Sequence, residues 1–397
     1  MILDCGTNNK ELLDDELYLG KRHERVRGKR YDDLISKFIH SVRTHYPKAY
    51  IHCEDFGLPN ARRILDSYRD KVAMFNDDVQ GTGVVTLAAI YAALHVSKVD
   101  IADARVLFYG AGTAGTGIAD QFVRAAQIDA NKSEEDARKN VWCIDKPGLL
   151  LQSKKDDLTH AQIPYARPDS EWKDQKTESL LDIVKAVKPH ILIGTSTQPG
   201  SFTEDVIKEM AKHVERPVVF PLSNPTNLHE AKPEDIFKWT DGKALMATGS
   251  PFDPVEHNGK KYEVAECNNS TAFPGLGLGA ILCRARLMSD KMLLAGTKAL
   301  AKQSPAMQGN DDMAGLLPDV QDVREISVQV AAAVIRTARE EGLVQEEGVP
   351  EKEEELEEWI REQMWDAVYR PMKKISKEEA SEHARGEAGL HGSRKHE

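Results

Sequence analysis

The sequence predicts an α/β fold built on a doubly wound parallel sheet. Three observations support this prediction. Short hydrophobic runs recur along the middle of the chain, amphipathic segments of helical spacing lie between them, and one run leads directly into a glycine-rich turn. Strands that alternate with helices form right-handed βαβ units, and such units build a parallel sheet.

The first part of the chain is expected to be an α/β region that begins inside a strand. Residues 1–6 have the pattern of a buried strand, so we expect either that the start of this domain is missing or that the gene product is short. Residues 31–42 place apolar side chains at helical spacing. Hydrophobic runs at 49–53 and 72–75 predict two short strands, with a helix at 59–70 between them.

The rest of the chain supplies the larger set of predicted elements. The predicted strands are residues 105–109, 141–144, 191–194 and 218–222. The predicted helices are residues 82–96, a segment that follows the glycine-rich turn and ends at about residue 126, and residues 180–187, 204–213, 279–305 and 320–342. From Glu346 the chain is rich in glutamate, and after Pro371 it has almost nothing to bury. We therefore expect a helical C-terminal appendage at 346–370 and a mobile tail at 375–397.

The composition argues against several classes of protein. The 397 residues include 53 basic and 64 acidic side chains, and the formal charge of −11 gives no overall attraction for nucleic acid or anionic lipid. We expect no stretch to approach the run of about 20 apolar residues that a membrane helix needs. Five cysteines without CxxC spacing argue against a disulfide framework. We expect no nucleic-acid partner and no membrane association.

A glycine pattern marks the predicted nucleotide site. Gly110, Gly112 and Gly115 form a GxGxxG sequence between a predicted strand and a predicted helix, which is the context that makes this pattern informative. The glycines allow a tight turn, in which backbone N–H groups approach a pyrophosphate at the helix N-terminus. We therefore predict a Rossmann-like domain in which these glycines and Thr113 bind a cofactor. A purely structural glycine turn is the alternative.

Asp145 is the predicted ribose ligand, because it ends the strand that follows the glycine turn. It lies 30 residues after Gly115, which is longer than the usual spacing of about 20, and the polar insertion 131–137 accounts for the difference. Its negative charge favours NAD, because it would repel the 2′-phosphate of NADP. Lys146 beside it leaves NADP as an alternative.

Two acidic pairs follow two short predicted strands. Glu54 and Asp55 follow residues 49–53, and Asp77 and Asp78 follow the next strand. Ligands bind at the carboxyl ends of strands in open α/β sheets. Four neighbouring carboxylates repel one another unless a cation or protons compensate, and their oxygens suit Mg²⁺ or Mn²⁺. The alternative is that each pair is a solvated loop or a helix cap, since Asp77 and Asp78 precede a helix.

Asparagines stand beside two further apolar runs. Asn224 follows the predicted strand 218–222, and Asn268 and Asn269 precede the glycine-rich segment 273–279. An asparagine in such a place can hydrogen-bond a substrate carboxylate or hydroxyl. For Asn224 the alternative is an Asx turn before Pro225.

Nine stretches of the chain together resemble one enzyme family. They are Leu3–Asn9, Leu17–Gly20, Arg25–Gly28, Glu54–Phe56, Phe75–Thr82, Gly110–Gly115, Ser223–Thr226, Ala247–Phe252 and Asn268–Asn269. They occur in order, and the FNDDVQGT and EDF stretches are the most specific. The chain resembles malic enzyme, the malate dehydrogenase that also decarboxylates its product. Malolactic enzyme shares nearly all of these stretches and is a close alternative.

The resemblance implies a role for each candidate residue. The implied roles are metal ligands for Glu54, Asp55 and Asp78, a catalytic role for Asp77 in supporting the proton-transfer lysine, and substrate contacts for Asn224, Asn268 and Asn269. The glycine turn would hold NAD, with NADP as the alternative, and the metal would be Mg²⁺ or Mn²⁺. The implied reaction is the oxidative decarboxylation of (S)-malate to pyruvate and CO₂ with reduction of NAD(P).

The resemblance also implies a domain division. Residues 1–77 would be the C-terminal part of the family's N-terminal substrate domain, joined by residues 267–345, and residues 78–266 would be the NAD-binding Rossmann-like domain. Residues 346–397 would be the helical appendage and tail. The implied assembly is a homo-oligomer, dimer or tetramer. The implied location is the cytoplasm or the mitochondrial matrix, with no targeting region in this chain.

One part of the family pattern is not matched. The family's general acid tyrosine, general base lysine and malate-binding arginine lie upstream of the stretch that begins here at Leu3. The chain therefore resembles the C-terminal two-thirds of a malic enzyme, and we expect it to turn over malate poorly or not at all. Besides malolactic enzyme, which forms lactate, the remaining alternative is a non-catalytic nucleotide-binding remnant.

Overall fold

The computed structural model describes residues 2–146, 148–309, 313–369, 372 and 374–381. The described strands are β1 (Ile51–Cys53), β2 (Met74–Asn76), β3 (Val106–Tyr109), β4 (Val141–Asp145), β5 (Gly148–Leu149), β6 (Ile191–Gly194), β7 (Val218–Pro221), β8 (Leu245–Thr248), β9 (Val255–His257), β10 (Lys260–Tyr262) and β11 (Ala265–Glu266). The described α-helices are α1 (Lys10–Asp14), α2 (Lys29–His45), α3 (Leu58–Tyr68), α4 (Thr82–Ser97), α5 (Thr113–Asp129), α6 (Glu134–Arg138), α7 (Leu180–Val187), α8 (Glu204–His213), α9 (Pro233–Trp239), α10 (Phe273–Leu282), α11 (Asp290–Lys302), α12 (Pro305–Gln308), α13 (Val323–Glu340) and α14 (Glu353–Gln363).

The largest sheet has seven strands in the order β11-β8-β7-β6-β3-β4-β5. Every neighbouring pair is parallel except β4 and β5. Strand β3 lies between β4 and β6, and Phe108 pairs in register with Cys143 on one side and Ile193 on the other. The strand order therefore reverses beside β3, which is where open α/β sheets bind ligands. The predicted doubly wound α/β fold is confirmed.

The strands of this sheet are hydrophobic throughout because they are buried on both faces. Val106, Leu107 and Phe108 of β3 have no exposed surface, and all four residues of β6 are buried. Helices on both faces of a parallel sheet exclude water from it, so its strands lack the alternation of a half-exposed strand. For this reason, continuous apolar runs in the sequence predicted the positions of these strands.

A smaller parallel sheet positions the acidic residues. Strands β1 and β2 pair in register, with Ile51 opposite Met74 and Cys53 opposite Asn76. Helices α2 and α3 cover this pair and share its hydrophobic core. Because the two strands run in the same direction, the segments that follow them leave from the same edge.

Helix α4 is apolar on all sides because it is packed on all sides. It contacts α5 and α11, and α11 in turn packs against α13. The helical run 77–97 is long and apolar enough to cross a membrane, so our expectation that no stretch qualifies by length was wrong. However, 78% of its most apolar window is buried in the fold, as in the core helix of a globular domain.

Two further sequence predictions were wrong. The predicted helix 279–305 is interrupted between α10 and α11. Arg284 adopts a left-handed backbone conformation with φ of 47°, and Ser289 caps α11 by accepting a hydrogen bond from Met292 N–H. Residues 2–6 are not a strand, and Ile2 is 92% exposed. This segment is held instead by backbone bonds to a loop, such as Val26 N–H to Cys5 O at 2.8 Å.

The end of the chain forms a separate unit. Residues 1–361 are one compact unit and residues 362–397 are another. In the second unit the described residues include a helical turn at 377–381. Residues 382–397, most of the predicted mobile tail, lie outside the described residues. The domain division predicted from the sequence stays a prediction.

Candidate active site

The two acidic pairs emerge side by side. Cys53 and Asn76 are the paired last residues of β1 and β2, so Glu54 and Asp55 leave the sheet next to Asp77 and Asp78. A π-helical turn, Asp77–Gly81, then leads into α4. Such turns are rare and occur frequently at functional sites.

The helix cap here is Asn76, not an aspartate. Its Oδ1 accepts a hydrogen bond from Val79 N–H at 3.0 Å, and its own N–H donates to Gln80 Oε1 at 3.0 Å. The capping alternative for Asp77 and Asp78 was therefore wrong, because the preceding residue already satisfies that need. Neither carboxylate is used to cap the helix.

Asp77 is a buried carboxylate with one unused oxygen. The residue is 4% exposed, and Oδ2 accepts a hydrogen bond from Asn269 Nδ2 at 2.8 Å. Oδ1 is shielded from solvent and has no partner. Burial raises the pKa of Asp77, the Asn269 bond opposes that rise, and the charge of Glu54 adds to it. A buried, unpaired carboxylate oxygen is costly, so it indicates a site for a bound group.

Asp78 shows the same pattern beside Asp55. Its Oδ2 is buried without a partner. Burial raises the pKa of Asp78, and the nearby charge of Asp55 raises it further, while backbone N–H groups of Phe56 and Asp55 lower it. Asp55 itself has a positive φ of 57°, a strained backbone conformation that is enriched at functional sites.

The donor chemistry fits a hard divalent cation. Mg²⁺ and Mn²⁺ prefer carboxylate oxygens as ligands. Asp77 and Asp78 each offer one that is buried and unpaired, and Glu54 and Asp55 supply further carboxylates. Among the described residues, however, no three side chains of His, Cys, Asp or Glu converge into a ready-made metal site. Ligation by Glu54, Asp55 and Asp78 therefore stays a prediction.

A cavity of about 340 Å³ joins the acidic residues to the predicted substrate asparagines. Its lining includes six of the predicted site residues: Glu54, Asp77, Asp78, Asn224, Asn268 and Asn269. Thr82, Thr86 and Cys267, which the sequence analysis missed, also line it. Asp55 is not among the lining residues, although its charge raises the pKa of Asp78.

The three asparagines differ in what holds them. Asn269 Nδ2 contacts Asp77 and also donates to Thr82 Oγ1 at 3.2 Å. Asn224 Oδ1 accepts from the Ser250 hydroxyl. Asn268 serves a local structural purpose as well, because its Oδ1 accepts from Ser270 N–H at 2.9 Å and caps a short helical turn.

The glycine turn joins β3 to α5 as predicted. Gly110 has φ of +106°, and a Cβ there would lie 2.5 Å from the backbone of Thr195, so only glycine fits. A Cβ on Gly115 would lie 2.1 Å from Gly110 O. Gly112 is different, because a Cβ there would meet no atom within 4 Å. Gly112 therefore has open space beside it at the N-terminus of α5, whose first residue, Thr113, is half-buried.

Asp145 lies beside this turn and is held by a residue that the sequence analysis missed. Its Oδ2 accepts from Gln162 Nε2 at 2.6 Å, and its Oδ1 accepts from Lys146 N–H at 2.9 Å. The same Gln162 amide donates to Ala111 O at 3.0 Å within the glycine turn. Gln162 has no local sequence feature that would indicate this role, because its partners are 17 and 51 residues away.

Comparison with known proteins gives the same assignment as the motifs. A family model described as malic enzyme, NAD binding domain, matches residues 79–339, and one described as malic enzyme, N-terminal domain, matches residues 1–69. The chain belongs to the malic enzyme family. Residues 79–339 of this malic enzyme family member contain the glycine turn, Asp145 and all three asparagines, whereas Glu54 and Asp55 lie in the N-terminal match.

Individual relatives agree with the family assignment. The mitochondrial NAD-dependent malic enzyme of Saccharomyces cerevisiae is 49% identical over 94% of this chain and 57% of its own length. The malolactic enzyme of Lactiplantibacillus plantarum is 46% identical over 87% of this chain and 62% of its own length. A malic enzyme crystal structure from Pyrococcus horikoshii matches with a TM-score of 0.65 and 26% identity over 82% of this chain and 68% of that one. The chain thus spans about three-fifths of the length of these two curated relatives.

Proposed function

We propose that the chain carries the metal, cofactor and substrate groups of an NAD-dependent malic enzyme, which oxidises and decarboxylates (S)-malate to pyruvate and CO₂ with formation of NADH. The observation that supports this most is the cavity in which Glu54, Asp77 and Asp78 face Asn224 and Asn269. Malate offers two carboxylates and a hydroxyl, and these groups match asparagine amides and a cation held by carboxylates. The name of the yeast relative supports the same reaction.

When bound, NAD would accept a hydride from C2 of malate, and a divalent cation would stabilise the negative charge that develops on oxygen as CO₂ leaves. Glu54, Asp55 and Asp78 would hold the cation. The Gly110–Gly115 turn would hold the pyrophosphate of NAD at the N-terminus of α5, with Asp145 on the adenosine ribose.

The residues of the chain orient the substrate. Asn224 Oδ1 is occupied by the Ser250 hydroxyl, so its Nδ2 is the group that would donate to a malate carboxylate. Asn269 Nδ2 is bound to Asp77 and Thr82, so its Oδ1 would accept the substrate hydroxyl. The unpartnered Oδ1 of Asp77 would accept a hydrogen bond from the proton-transfer group of the family mechanism.

The resemblance assigns no lysine or tyrosine of the printed sequence to the family's proton-transfer pair. General acid–base groups typically contribute about 10²- to 10⁴-fold each. We therefore expect the 397-residue chain alone to form NADH from malate and Mn²⁺ at a rate at least about 10⁴-fold below that of the yeast relative. A rate near that of the yeast enzyme would show that residues within this chain transfer the protons.

Binding tests the proposal independently of turnover. Malate affinity would be measured by calorimetry on the chain with Mn²⁺ and NADH present, for the parent and for Asn269→Ala. Losing one buried polar contact should weaken malate binding about tenfold and leave NADH affinity unchanged. Asn140→Ala, an asparagine that bonds to Ala102 O away from the cavity, is the matched control. Equal malate affinity in parent and Asn269→Ala would contradict the substrate assignment.

Malolactic activity is the second candidate, because a relative of that name is 46% identical. Product analysis separates the two: pyruvate with accumulating NADH supports malic enzyme, and lactate without net NADH supports malolactic enzyme. A homo-oligomeric state and a location in the cytoplasm or mitochondrial matrix stay proposals, and the yeast relative's name supports the mitochondrial one.

A further inference from the structure

Glu230 is a fully buried carboxylate next to the candidate site. Its exposed fraction is 0%, and it lies six residues after Asn224 in the loop that follows β7. Glutamate is almost never buried completely unless its charge is paired or hydrogen-bonded. No cation contacts it among the described residues, so its hydrogen bonds must account for its burial.

Two serines satisfy the Glu230 carboxylate. Oε1 accepts from Ser196 N–H at 2.9 Å, from Ser196 Oγ at 2.8 Å and from Ser223 Oγ at 2.5 Å. Ser223 N–H lies 3.5 Å from Oε2. Bonds to an ionised acceptor are roughly twice as strong as neutral ones. One side chain therefore joins the loop after β6 to the loop after β7.

The network continues from the serines into the backbone. A hydroxyl has a single proton, and each serine uses it on Glu230. Each oxygen is then left to accept: Ser223 Oγ accepts from Thr197 N–H at 2.8 Å, and Ser196 Oγ accepts from Gln198 N–H at 3.2 Å. The direction of all these bonds follows from the acceptor-only nature of a carboxylate.

The fold makes room for this carboxylate at the end of β6. A Cβ on Gly194 would lie 2.4 Å from Glu230 Cδ, so the side chain crosses the strand end at the place where Gly194 has none. The Glu230 backbone also takes part, because its carbonyl accepts from Phe202 N–H at 3.0 Å. Main chain and side chain together fix Glu230 across the ends of β6 and β7.

The two loops that Glu230 joins lead to the two halves of the candidate site. Thr195 Oγ1 donates to Gly110 O at 2.6 Å, so the loop 195–198 rests on the glycine turn. Ser223 immediately precedes Asn224, which lines the cavity. The carboxyl ends of β3, β6 and β7 are neighbours, and this is the ligand edge of the sheet.

We propose that Glu230 is a positioning residue that, through Ser196 and Ser223, fixes the cofactor loop 195–198 and the substrate residue Asn224 relative to one another. It touches neither ligand itself. The proposal rests on the proposed function for the identity of the ligands, but the coupling of the two loops does not depend on that function.

Amide hydrogen exchange on the full 397-residue chain tests the coupling without any ligand. Glu230→Met keeps the length but offers no acceptor, and Glu230→Gln keeps one carbonyl oxygen. Exchange at residues 196–198 and 223 should rise about tenfold or more in Glu230→Met and by less in Glu230→Gln. Amides of Ile193 and Phe220, inside β6 and β7, should exchange as in the parent. Glu209→Gln, which loses a carboxylate paired with Lys212 and His213 on α8, is the matched control.

Affinities measure the consequence for the site. NADH binding, followed by fluorescence, should weaken about tenfold in Glu230→Met, with partial rescue in Glu230→Gln. Parent-like exchange in the two loops, or an increase spread evenly over the strands, would overturn the proposal. If Glu230→Met does not fold, Ser196→Ala and Ser223→Ala test the two arms separately, and unchanged exchange in both would also overturn it. A parent chain that shows this loop coupling but does not bind malate would instead contradict the proposed function.

Discussion

Replacing Gly112 with valine should strongly weaken cofactor binding while leaving the fold intact. Gly112 has φ of −73°, which any residue adopts, and a Cβ there meets no atom within 4 Å. It is also the N-cap of α5, a position where glycine is preferred over valine, so we expect a stability loss of about 1 kcal/mol. For a chain of 397 residues, with an unfolding entropy of about 2.1 cal/mol/K per residue, that corresponds to a fall in melting temperature of about 1 °C.

The effect on binding should be much larger. The open space above Gly112 is where the pyrophosphate would approach the N–H groups at the start of α5, and a valine side chain would fill it. Losing these contacts should raise the dissociation constant of NADH at least about 100-fold, or about 2.7 kcal/mol. Gly112→Ala, with one methyl group, should fall between the parent and Gly112→Val.

Fluorescence titration with NADH measures the affinity, and thermal unfolding measures the stability. Gly110→Ala is the informative contrast, because its Cβ would lie 2.5 Å from the backbone of Thr195 at a φ of +106°. That variant should lose stability by more than Gly112→Val, since neither the backbone nor the neighbour can yield cheaply. Parent-like NADH affinity in a folded Gly112→Val chain would refute the assignment of the turn.

Three other perturbations follow from the same geometry. Asp78→Ala should abolish Mn²⁺ binding in calorimetry with Mn²⁺ alone, because it removes a buried, unpartnered carboxylate oxygen. The control is Asp66→Ala, which loses a carboxylate paired with Arg62 on α3 and should bind Mn²⁺ as the parent does. Gln162→Leu should weaken NADH binding about 3- to 10-fold, because it removes the hydrogen bond that holds Asp145. In an Asp145→Asn background the same substitution should weaken NADH binding by less. Equal losses of NADH affinity in the two backgrounds would contradict the coupling of Gln162 to Asp145. His190 Nδ1 accepts a hydrogen bond from the backbone N–H of Arg105 at 3.0 Å. Burial and the charge of Arg105 lower the pKa of His190 from 6.5, and the charge of Asp103 opposes them. The neutral His190 side chain therefore contributes stability above pH 6.5, and this contribution is lost as the pH falls through the lowered pKa of the folded state. His190→Asn should make the melting temperature fall less steeply below pH 6.5. An unchanged dependence of melting temperature on pH would refute this.

Local pattern determined most of the fold. The runs at 191–194 and 180–187 match β6 and α7 residue for residue, because a strand buried on both faces and an amphipathic helix each leave a direct record in the order of apolar side chains. The glycine turn was predictable for a similar reason, since a positive φ and a close backbone approach at Gly110 require glycine. The strands β5 and β8 to β11 were missed, and all of them except β8 have only two or three residues, too few to leave a recognisable apolar run.

The sequence by itself determined which residue types stand at the strand ends, and it placed Glu54, Asp77 and Asn224 among them. Only the tertiary structure decided how these residues are used. Asn269 meets Asp77 across 192 positions, Gln162 meets Asp145 across 17, and Glu230 meets Ser196 across 34. Whether a carboxylate oxygen is buried, paired or left free depends on which distant segments exclude water from it and supply its donors. Burial and hydrogen-bond partnership are therefore properties of the packed chain, which no local spacing of residues encodes.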